Sequence, residues 1–150
     1  MSEYEAFLFH KLFKMITIEN LYQIFKTNPS ITTDSRNIEP GSIFFALKGG
    51  NFNGNKFAAS AIEKGAVYAV IDDKEFEIEG KTVLVENVLQ TLKDLANHHR
   101  KMLALPVLAI TGTNGKTTTK ELIAAVLAEK YKVSFTQGNL NNHIGVPLTL

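Results

Sequence analysis

The sequence has no cysteine and almost no net charge, and each absence excludes a class of protein. Without cysteine there is no disulfide framework and no thiol chemistry, which fits a reducing compartment. Sixteen Lys and Arg residues against fifteen Asp and Glu residues leave a net charge of +1. Such a balance gives no electrostatic reason to bind nucleic acid or a membrane surface, so neither partner is expected.

Long apolar runs are also missing. No uninterrupted run approaches the roughly 20 residues that span a membrane. His10, Lys11 and Lys14 interrupt the apolar stretch near the N-terminus, so no signal peptide is predicted. Hydrophobic residues still make up 45% of the 150 residues, which is enough for a core in one domain, or in one small domain and part of another. A soluble cytoplasmic protein is therefore expected.

The most informative stretch is a glycine-rich turn between an apolar run and an amphipathic segment. Residues 105–110 are predicted to form a buried strand, and residues 116–130 a helix. Glycines let several backbone N–H groups point at one anion, and a helix N-terminus adds a partial positive charge. The pattern predicts a phosphate-binding loop. Its residues are Thr111, Gly112, Thr113, Asn114, Gly115, Lys116, Thr117 and Thr118.

Two side chains of this loop have specific predicted roles. Lys116 is expected to reach the β- and γ-phosphates of a nucleotide, and Thr117 to offer its hydroxyl to Mg²⁺. The spacing differs from the commonest phosphate-loop pattern, because Ile110 stands where that pattern has its first glycine. The loop is therefore a shortened one, and a plain tight connection is the alternative interpretation.

The residues before this loop are predicted to form a separate α/β region. The predicted elements are a helix at 17–28, a strand at 42–47, a loop with three glycines at 48–55, a short helix at 57–62, strands at 66–71 and 81–85, and a helix at 88–102. A further strand is predicted at 132–136. Asp72 and Asp73 are interpreted as a solvated turn rather than a metal site. The predicted organisation is an extension at 1–14, a first domain at 15–86 and the first part of a second at 87–150.

Three stretches together resemble the Mur ligase family, and specifically its MurF type. The TGTNGKTT loop at 111–118 is similar to the shortened phosphate loop of Mur and folylpolyglutamate ligases. The TDSR stretch at 33–36, followed by PGSIFFALKG at 40–49 and by Gly54, is similar to the uridine-nucleotide-binding domain of the MurE and MurF types. GNLNNHIGVP at 138–147 is similar to the segment after the next strand in the MurF type. The resemblance covers residues 15–150 and the first third of the full enzyme.

The resemblance implies an α/β fold in which a small UDP-precursor-binding domain precedes the start of an ATP-binding central domain. It implies an ATP-dependent ligase of peptidoglycan precursor synthesis, and hence a role in cell-wall biogenesis, cell shape and cell division. That ligase joins D-alanyl-D-alanine to UDP-MurNAc-tripeptide through an acyl phosphate, with Mg²⁺. The family's other catalytic groups would lie beyond Leu150, so we expect the chain alone to be inactive and to self-associate through an exposed sheet edge.

The resemblance also implies roles for single residues. Lys116 is the catalytic residue, and residues 111–118 bind ATP. The residues implied to bind the UDP precursor are Ser35, Arg36, Lys48, Gly49, Gly50, Asn51, Phe52, Asn139, Asn141 and Asn142. Arg36 is either a phosphate contact or the ion-pair partner of Asp34, and the three asparagines are either ligand contacts or caps and turns. MurF-type sequences often have Asp-Gly-His where this chain has NGN at 53–55, which weakens the case for a specific role of Asn55.

Other functions share part of this pattern. A MurE-type ligase would add a diamino acid to the dipeptide precursor, and the GNLNNHIGVP stretch favours the MurF type over it. A folylpolyglutamate ligase would share the phosphate loop but not the TDSR region. A non-catalytic module that senses ATP or UDP-sugars would instead be a compact fold that binds nucleotide tightly without turnover.

Overall fold

The computed structural model describes residues 16–138, 140 and 142–150, which divide into two compact units. The first unit extends to Leu95, and the second runs from Ala96 to Leu150. The predicted extension at 1–14 lies outside the described residues. Within the described part of the chain, no helix is both long enough and apolar enough to cross a membrane.

The first unit is built on a parallel sheet, which confirms the predicted α/β class. Its elements are α1 (Ile18–Thr27), β1 (Ile31–Thr32), β2 (Ile43–Phe45), β3 (Lys48–Gly49), β4 (Phe52–Asn53), α2 (Ala58–Glu63), β5 (Tyr68–Ile71), β6 (Thr82–Leu84) and the start of α3 (Val88–Leu103). Four strands pair in the order β1-β2-β5-β6, all parallel, and β3 and β4 form a separate antiparallel hairpin. Short 3₁₀ turns occupy Gly54–Phe57 and Lys74–Phe76.

Apolar residues cover both faces of this sheet. Phe45 of β2 packs in one buried cluster with Leu21 of α1 and Leu92 of α3. Its neighbour Phe44 packs in the other cluster, with Ala61 of α2. Successive side chains of a strand point to opposite faces, so a strand buried on both faces needs an unbroken apolar run. This explains why an unbroken apolar run, SIFFAL, rather than an alternating pattern, marks β2, one of the two central strands.

The second unit contains α4 (Lys116–Ala128) and α5 (Gly145–Thr149), together with the end of α3. The helix prediction from Lys116 is confirmed, but the strands predicted at 105–110 and 132–136 are wrong, because neither stretch forms a ladder with another described segment. A strand is stabilised only by pairing with a neighbour. Apolar side chains of this unit are instead exposed, including those of Leu105, Val107 and Leu108.

A fully buried asparagine joins the β3–β4 hairpin to the end of β5. Asn55 has no exposed surface. Its Nδ2 donates to Oδ1 of Asp72 at 2.9 Å and to Oδ1 of Asn53 at 2.8 Å. Its own Oδ1 accepts from the backbone N–H of Asp72 at 3.0 Å. A buried amide must satisfy its polar atoms, and Asn55 does so only while the hairpin lies against β5. No role for Asn55 was predicted from the sequence.

Asp72 connects the same network to two further elements. Its Oδ1 lies 2.9 Å from Nζ of Lys48, and its Oδ2 accepts from the backbone N–H of Val88, at the start of α3, at 3.4 Å. The side chain is only 11% exposed, so the interpretation of Asp72 as a solvated turn residue is wrong. Burial acts to raise the pKa of Asp72, but the hydrogen bonds from Lys48, Asn55 and the Val88 amide outweigh it, and the pKa lies below its ordinary value.

The chain also approaches itself closely where the hairpin ends. The Gly54 backbone N–H donates to the Leu47 carbonyl at 2.9 Å. A Cβ on Gly54 would lie 2.4 Å from that carbonyl oxygen, closer than van der Waals contact allows. Glycine at this position therefore lets the backbone of the hairpin seat against the end of β2, next to the Asn55 network.

Asp72→Asn is expected to lower the free energy of unfolding by about 1–3 kcal/mol, because the change removes the ionised partner of Lys48 and leaves hydrogen-bonding groups around it unmatched. Urea unfolding followed by circular dichroism would measure the change. The pKa of Asp72 is lower in the folded state than in the unfolded chain, where it is near 4. Ionised Asp72 therefore stabilises the fold in full at pH values above about 4, and this stabilisation is lost as the pH falls through the folded-state pKa. The difference in free energy of unfolding between wild type and Asp72→Asn should therefore become smaller below about pH 4.

Asp73→Asn is the matched control. Oδ1 of Asp73 accepts from the backbone N–H of Glu75 at 3.2 Å, and an asparagine side-chain oxygen can accept the same bond. This variant should stay within about 0.5 kcal/mol of wild type. Equal losses in the two variants, or wild-type stability of Asp72→Asn, would contradict the assignment of the network to Asp72.

Candidate functional site

The structure brings the two predicted substrate-binding stretches of the first unit onto one surface. A shallow cavity is lined by Thr33, Asp34, Ser35, Arg36, Phe52 and Phe57. A second cavity is lined by Lys48, Gly49, Gly50, Asn51, Phe52, Asn53 and Lys56. Phe52 lines both, so the TDSR loop and the β3–β4 hairpin form neighbouring parts of one surface. Of the predicted precursor-binding residues, seven lie here: Ser35, Arg36, Lys48, Gly49, Gly50, Asn51 and Phe52.

Two exposed aromatic rings stand where these cavities meet. The rings of Phe52 and Phe57 are stacked, with centroids 5.4 Å apart and an angle of 14° between their planes. Phe52 is 49% exposed and Phe57 37%. Stacked rings that face solvent offer a flat apolar surface to a planar ligand. Phe57 was expected only as part of a helix face, and its proximity to Phe52 follows from the turn at Gly54–Phe57.

Arg36 is engaged by Asp34 in this structure. Its Nε and Nη2 donate to the two carboxylate oxygens of Asp34 at 2.9 and 2.8 Å. This bidentate pair lowers the pKa of Asp34 to about 2, chiefly through the side-chain hydrogen bond from Arg36, and raises the pKa of Arg36. Of the two roles open for Arg36, the structure contains the ion pair. The Arg36 side chain is 89% exposed, so the outer face of its guanidinium is accessible to an anion.

A lysine from α2's C-terminal end holds the TDSR loop. Nζ of Lys64 donates to the carbonyl of Ser35 at 2.7 Å, and the backbone N–H of Asp34 donates to Oγ1 of Thr32 at 3.2 Å. Lys64 could not be predicted from the sequence, because no local pattern indicates a contact with Ser35 across 29 residues. The cation that binds the Ser35 carbonyl therefore comes from the end of α2, outside the TDSR loop.

Lys48, the lysine of β3 in the hairpin, takes part in the Asn55–Asp72 hydrogen-bond network. Lys48 pairs with Asp72 at 2.9 Å and remains 43% exposed, and this hydrogen bond raises the pKa of Lys48. Lys48 thus helps to fix the hairpin on β5 as well as lining its cavity. Lys56, which the sequence analysis did not single out, is the other lysine that lines this cavity.

The predicted phosphate loop lies in the second unit, directly before α4. Gly112 and Gly115 have φ angles of +151° and +74°, a backbone region that strongly favours glycine. Gly115 occupies the N-cap position of α4 and supplies no side-chain cap, so the first amides of a 13-residue helix are available to an anion. Nζ of Lys116 donates to the carbonyls of Gly112 at 2.5 Å and Thr113 at 3.5 Å. The hydroxyl-bearing Thr117 and Thr118 lie exposed in the first turn.

Only one of the three candidate asparagines after this helix can be described. Oδ1 of Asn142 accepts from the backbone N–H groups of Ile144 at 3.0 Å and Gly145 at 2.7 Å. The side chain therefore caps the start of α5, one of the two roles left open for it. Asn139 and Asn141 lie outside the described residues. The described residues include no group of three or more His, Asp or Glu side chains able to hold a metal ion.

Two family models match the chain, one on each side of residue 105. Residues 29–101 match the model described as Mur ligase family, catalytic domain. Residues 110–150 match the model of the Mur ligase middle domain. The first match contains the sheet, the hairpin and the TDSR loop, and the second contains the phosphate loop and the segment after α4.

Two curated relatives of the chain share one functional name. The chain is 42% identical over 139 residues to the UDP-N-acetylmuramoyl-tripeptide–D-alanyl-D-alanine ligase of Synechocystis sp., a match that covers 91% of this chain and 30% of that protein. It is 38% identical over 148 residues to the ligase of the same name from Bacillus subtilis, covering 89% of this chain and 32% of that protein. The chain thus spans about a third of the length of these relatives.

Solved structures agree with the sequence relatives. A crystal structure of MurF from Acinetobacter baumannii matches with a TM-score of 0.73 and 32% identity, over 85% of this chain and 32% of that one. The MurF ligase from Thermotoga maritima, solved in complex with ADP, matches with a TM-score of 0.71 and 33% identity, over 79% of this chain and 28% of that one. Two domain models, named relatives and solved folds all agree, and they show that the chain belongs to the Mur ligase family.

Proposed function

We propose that the chain is the UDP-precursor-binding and phosphate-loop portion of an ATP-dependent ligase of the MurF type. The complete enzyme would join D-alanyl-D-alanine to UDP-MurNAc-tripeptide in peptidoglycan precursor synthesis. The observation that carries the proposal is the phosphate loop before α4, with its two positive-φ glycines and Lys116, in a chain whose curated relatives bear that ligase name. The relatives favour the MurF type over a MurE-type ligase, and no observation favours a non-catalytic module.

We assign residues 15–86 to precursor binding and residues 87–150 to the start of the ATP-binding domain. A ligase that consumes ATP and a nucleotide-linked precursor works where both are made, so we place it in the cytoplasm. The near-neutral charge balance gives no reason to add nucleic acid or a membrane surface as a partner. The exposed apolar side chains of the second unit make self-association of the isolated chain an expected property.

In the phosphate loop, the backbone and Lys116 would perform complementary tasks. The N–H groups from Gly112 to Gly115 and the first turn of α4 would bind the phosphate oxygens of ATP. Lys116 would exchange its bonds to the Gly112 and Thr113 carbonyls for the β- and γ-phosphates. Thr117, exposed in the first turn, would offer its hydroxyl to Mg²⁺. ATP supplies the phosphoryl group that turns a carboxylate into an acyl phosphate, which an amine can displace.

The surface of the first unit supplies the chemistry that a uridine nucleotide requires. The stacked rings of Phe52 and Phe57 would receive the planar uracil base. Ser35 and the exposed face of Arg36 would contact the polar groups beside it, and the backbone of residues 48–51 would approach closely because two of its residues are glycines. The Asn55–Asp72 network would keep this surface in place before the ligand arrives.

Lys116→Ala is expected to weaken the binding of ADP to the chain by at least about tenfold, because a charge-assisted contact to phosphate is lost. Isothermal titration calorimetry would measure the dissociation constant, and circular dichroism would check that the fold is unchanged. Lys130→Ala, which removes an exposed lysine just beyond the C-terminal end of α4, is the matched control and should bind ADP like wild type. Wild-type affinity of Lys116→Ala would refute the proposed role of the loop.

Phe57→Ala is expected to weaken the binding of UDP by about tenfold, since loss of one aromatic stacking partner costs roughly 1–3 kcal/mol. Phe57→Tyr keeps the ring and should bind within about threefold of wild type. Phe76→Ala removes a ring from the turn at Lys74–Phe76, which lines neither cavity, and should leave UDP affinity unchanged. Equal UDP affinities for Phe57→Ala and wild type would rule out stacking on the Phe52–Phe57 pair.

A further inference from the structure

A second lysine of α4 makes contacts that the proposed function does not use. Lys120 follows Lys116 by four residues, so the two side chains lie on the same face of the helix, one turn apart. Nζ of Lys120 donates to the carbonyl of Thr136 at 2.6 Å and to the carbonyl of Gly138 at 2.8 Å. The two lysines therefore act alike: Lys116 holds carbonyls of the phosphate loop, and Lys120 holds carbonyls of the segment after α4.

The surroundings of Lys120 show that this arrangement is specific. The side chain is only 13% exposed, although most of α4 faces solvent. Its ammonium lies 5.6 Å from the centroid of the Phe135 ring, and 3.8 Å from Oε1 of Glu121. An ammonium withdrawn from water must satisfy its donors, and here two backbone carbonyls accept hydrogen bonds from it. The adjacent Glu121 side chain is 57% exposed and contributes a distant contact.

The segment that Lys120 binds is not held by strand pairing with another described segment. Residues 132–137 form no strand with another described segment, and Gly138 has a φ of +51°. Beyond it, Asn142 caps α5. The hydrogen bonds of Lys120 are therefore the described contacts that tie residues 136–138 to α4, one helical turn from the lysine of the phosphate loop.

We propose that Lys120 is a positioning residue of the nucleotide site: by holding the carbonyls of Thr136 and Gly138 it fixes this segment beside the phosphate-loop helix, and nucleotide affinity depends on that tie. The inference rests on the proposed function, because it requires residues 111–118 to bind nucleotide. Lys120 itself touches no phosphate. Its contribution is to hold Thr136 and Gly138 against α4.

The test compares three variants of the full chain with ADP as the probe. Lys120→Met keeps an apolar stem against Phe135 but removes the ammonium, and it should weaken ADP binding by about tenfold in calorimetry. Lys120→Arg can donate to both carbonyls and should restore affinity to within about threefold of wild type. Lys132→Met removes an exposed lysine of the same unit, controls for the change in net charge, and should bind ADP normally.

The carbonyl ¹³C signals of the two acceptors supply the readout that a general loss of charge would not move. In Lys120→Met the carbonyl carbons of Thr136 and Gly138 should shift because their oxygens lose a donor, while those of residues 123–126 in α4 stay in place. Unchanged ADP affinity, or weaker affinity with unchanged signals at these two carbonyls, would overturn the proposal. If Lys120→Met does not fold, ¹⁵N NMR of the wild-type Lys120 ammonium decides instead. In the ADP-bound chain its signal should show hydrogen-bond coupling to the carbonyl carbons of Thr136 and Gly138, and a spectrum without that coupling would overturn the proposal.

The outcomes separate this proposal from the one on which it rests. If ADP causes no amide shifts at residues 112–117 of the wild-type chain, the nucleotide site itself is wrong, and the role of Lys120 is refuted with it. If those shifts appear and Lys120→Met binds ADP as tightly as wild type, the nucleotide site is supported and only the positioning role is overturned.

Discussion

The buried hydrogen bonds between Asn55 and Asp72 are the constraint on which the surface of the first unit depends. The β3 and β4 strands have two residues each, and so short a ladder cannot hold a position by itself. Asn55 has no exposed surface and must keep its partners, so the hairpin stays against the end of β5. Asp72 extends the constraint to Lys48 in the hairpin and to the start of α3. These bonds hold the glycine-rich hairpin in one position against the end of β5.

The second unit uses a different device for the same purpose. Here backbone carbonyls of irregular segments are held by lysine side chains from one helix, Lys116 for the phosphate loop and Lys120 for the segment after α4. The two lysines lie one turn apart on the same helix, so both segments are tied to α4. Carbonyl groups that accept from lysine are satisfied without a strand ladder, and residues 105–110 and 132–136 form no ladder with another described segment.

Much of the fold could be predicted from the sequence because its signals are local. The apolar SIFFAL run, the periodicity of α3 and the glycine turn before α4 each depend on neighbours within a few residues. The Asn55–Asp72 and Lys64–Ser35 contacts span 17 and 29 residues, and no local pattern encodes them. The strands predicted at 105–110 and 132–136 failed for a related reason: an apolar run supplies the propensity for a strand, but the partner must come from elsewhere in the chain.

The most direct test of this account is an NMR titration of the ¹⁵N-labelled chain with UDP. We expect shifts at the backbone amides of Ser35, Gly50 and Phe52, which lie on the surface that the Asn55 network fixes in place. The amides of α1, on which neither cavity borders, should stay unchanged. A well-dispersed spectrum with no shifts at Ser35, Gly50 and Phe52 at saturating UDP would contradict the assignment of this surface to a uridine nucleotide.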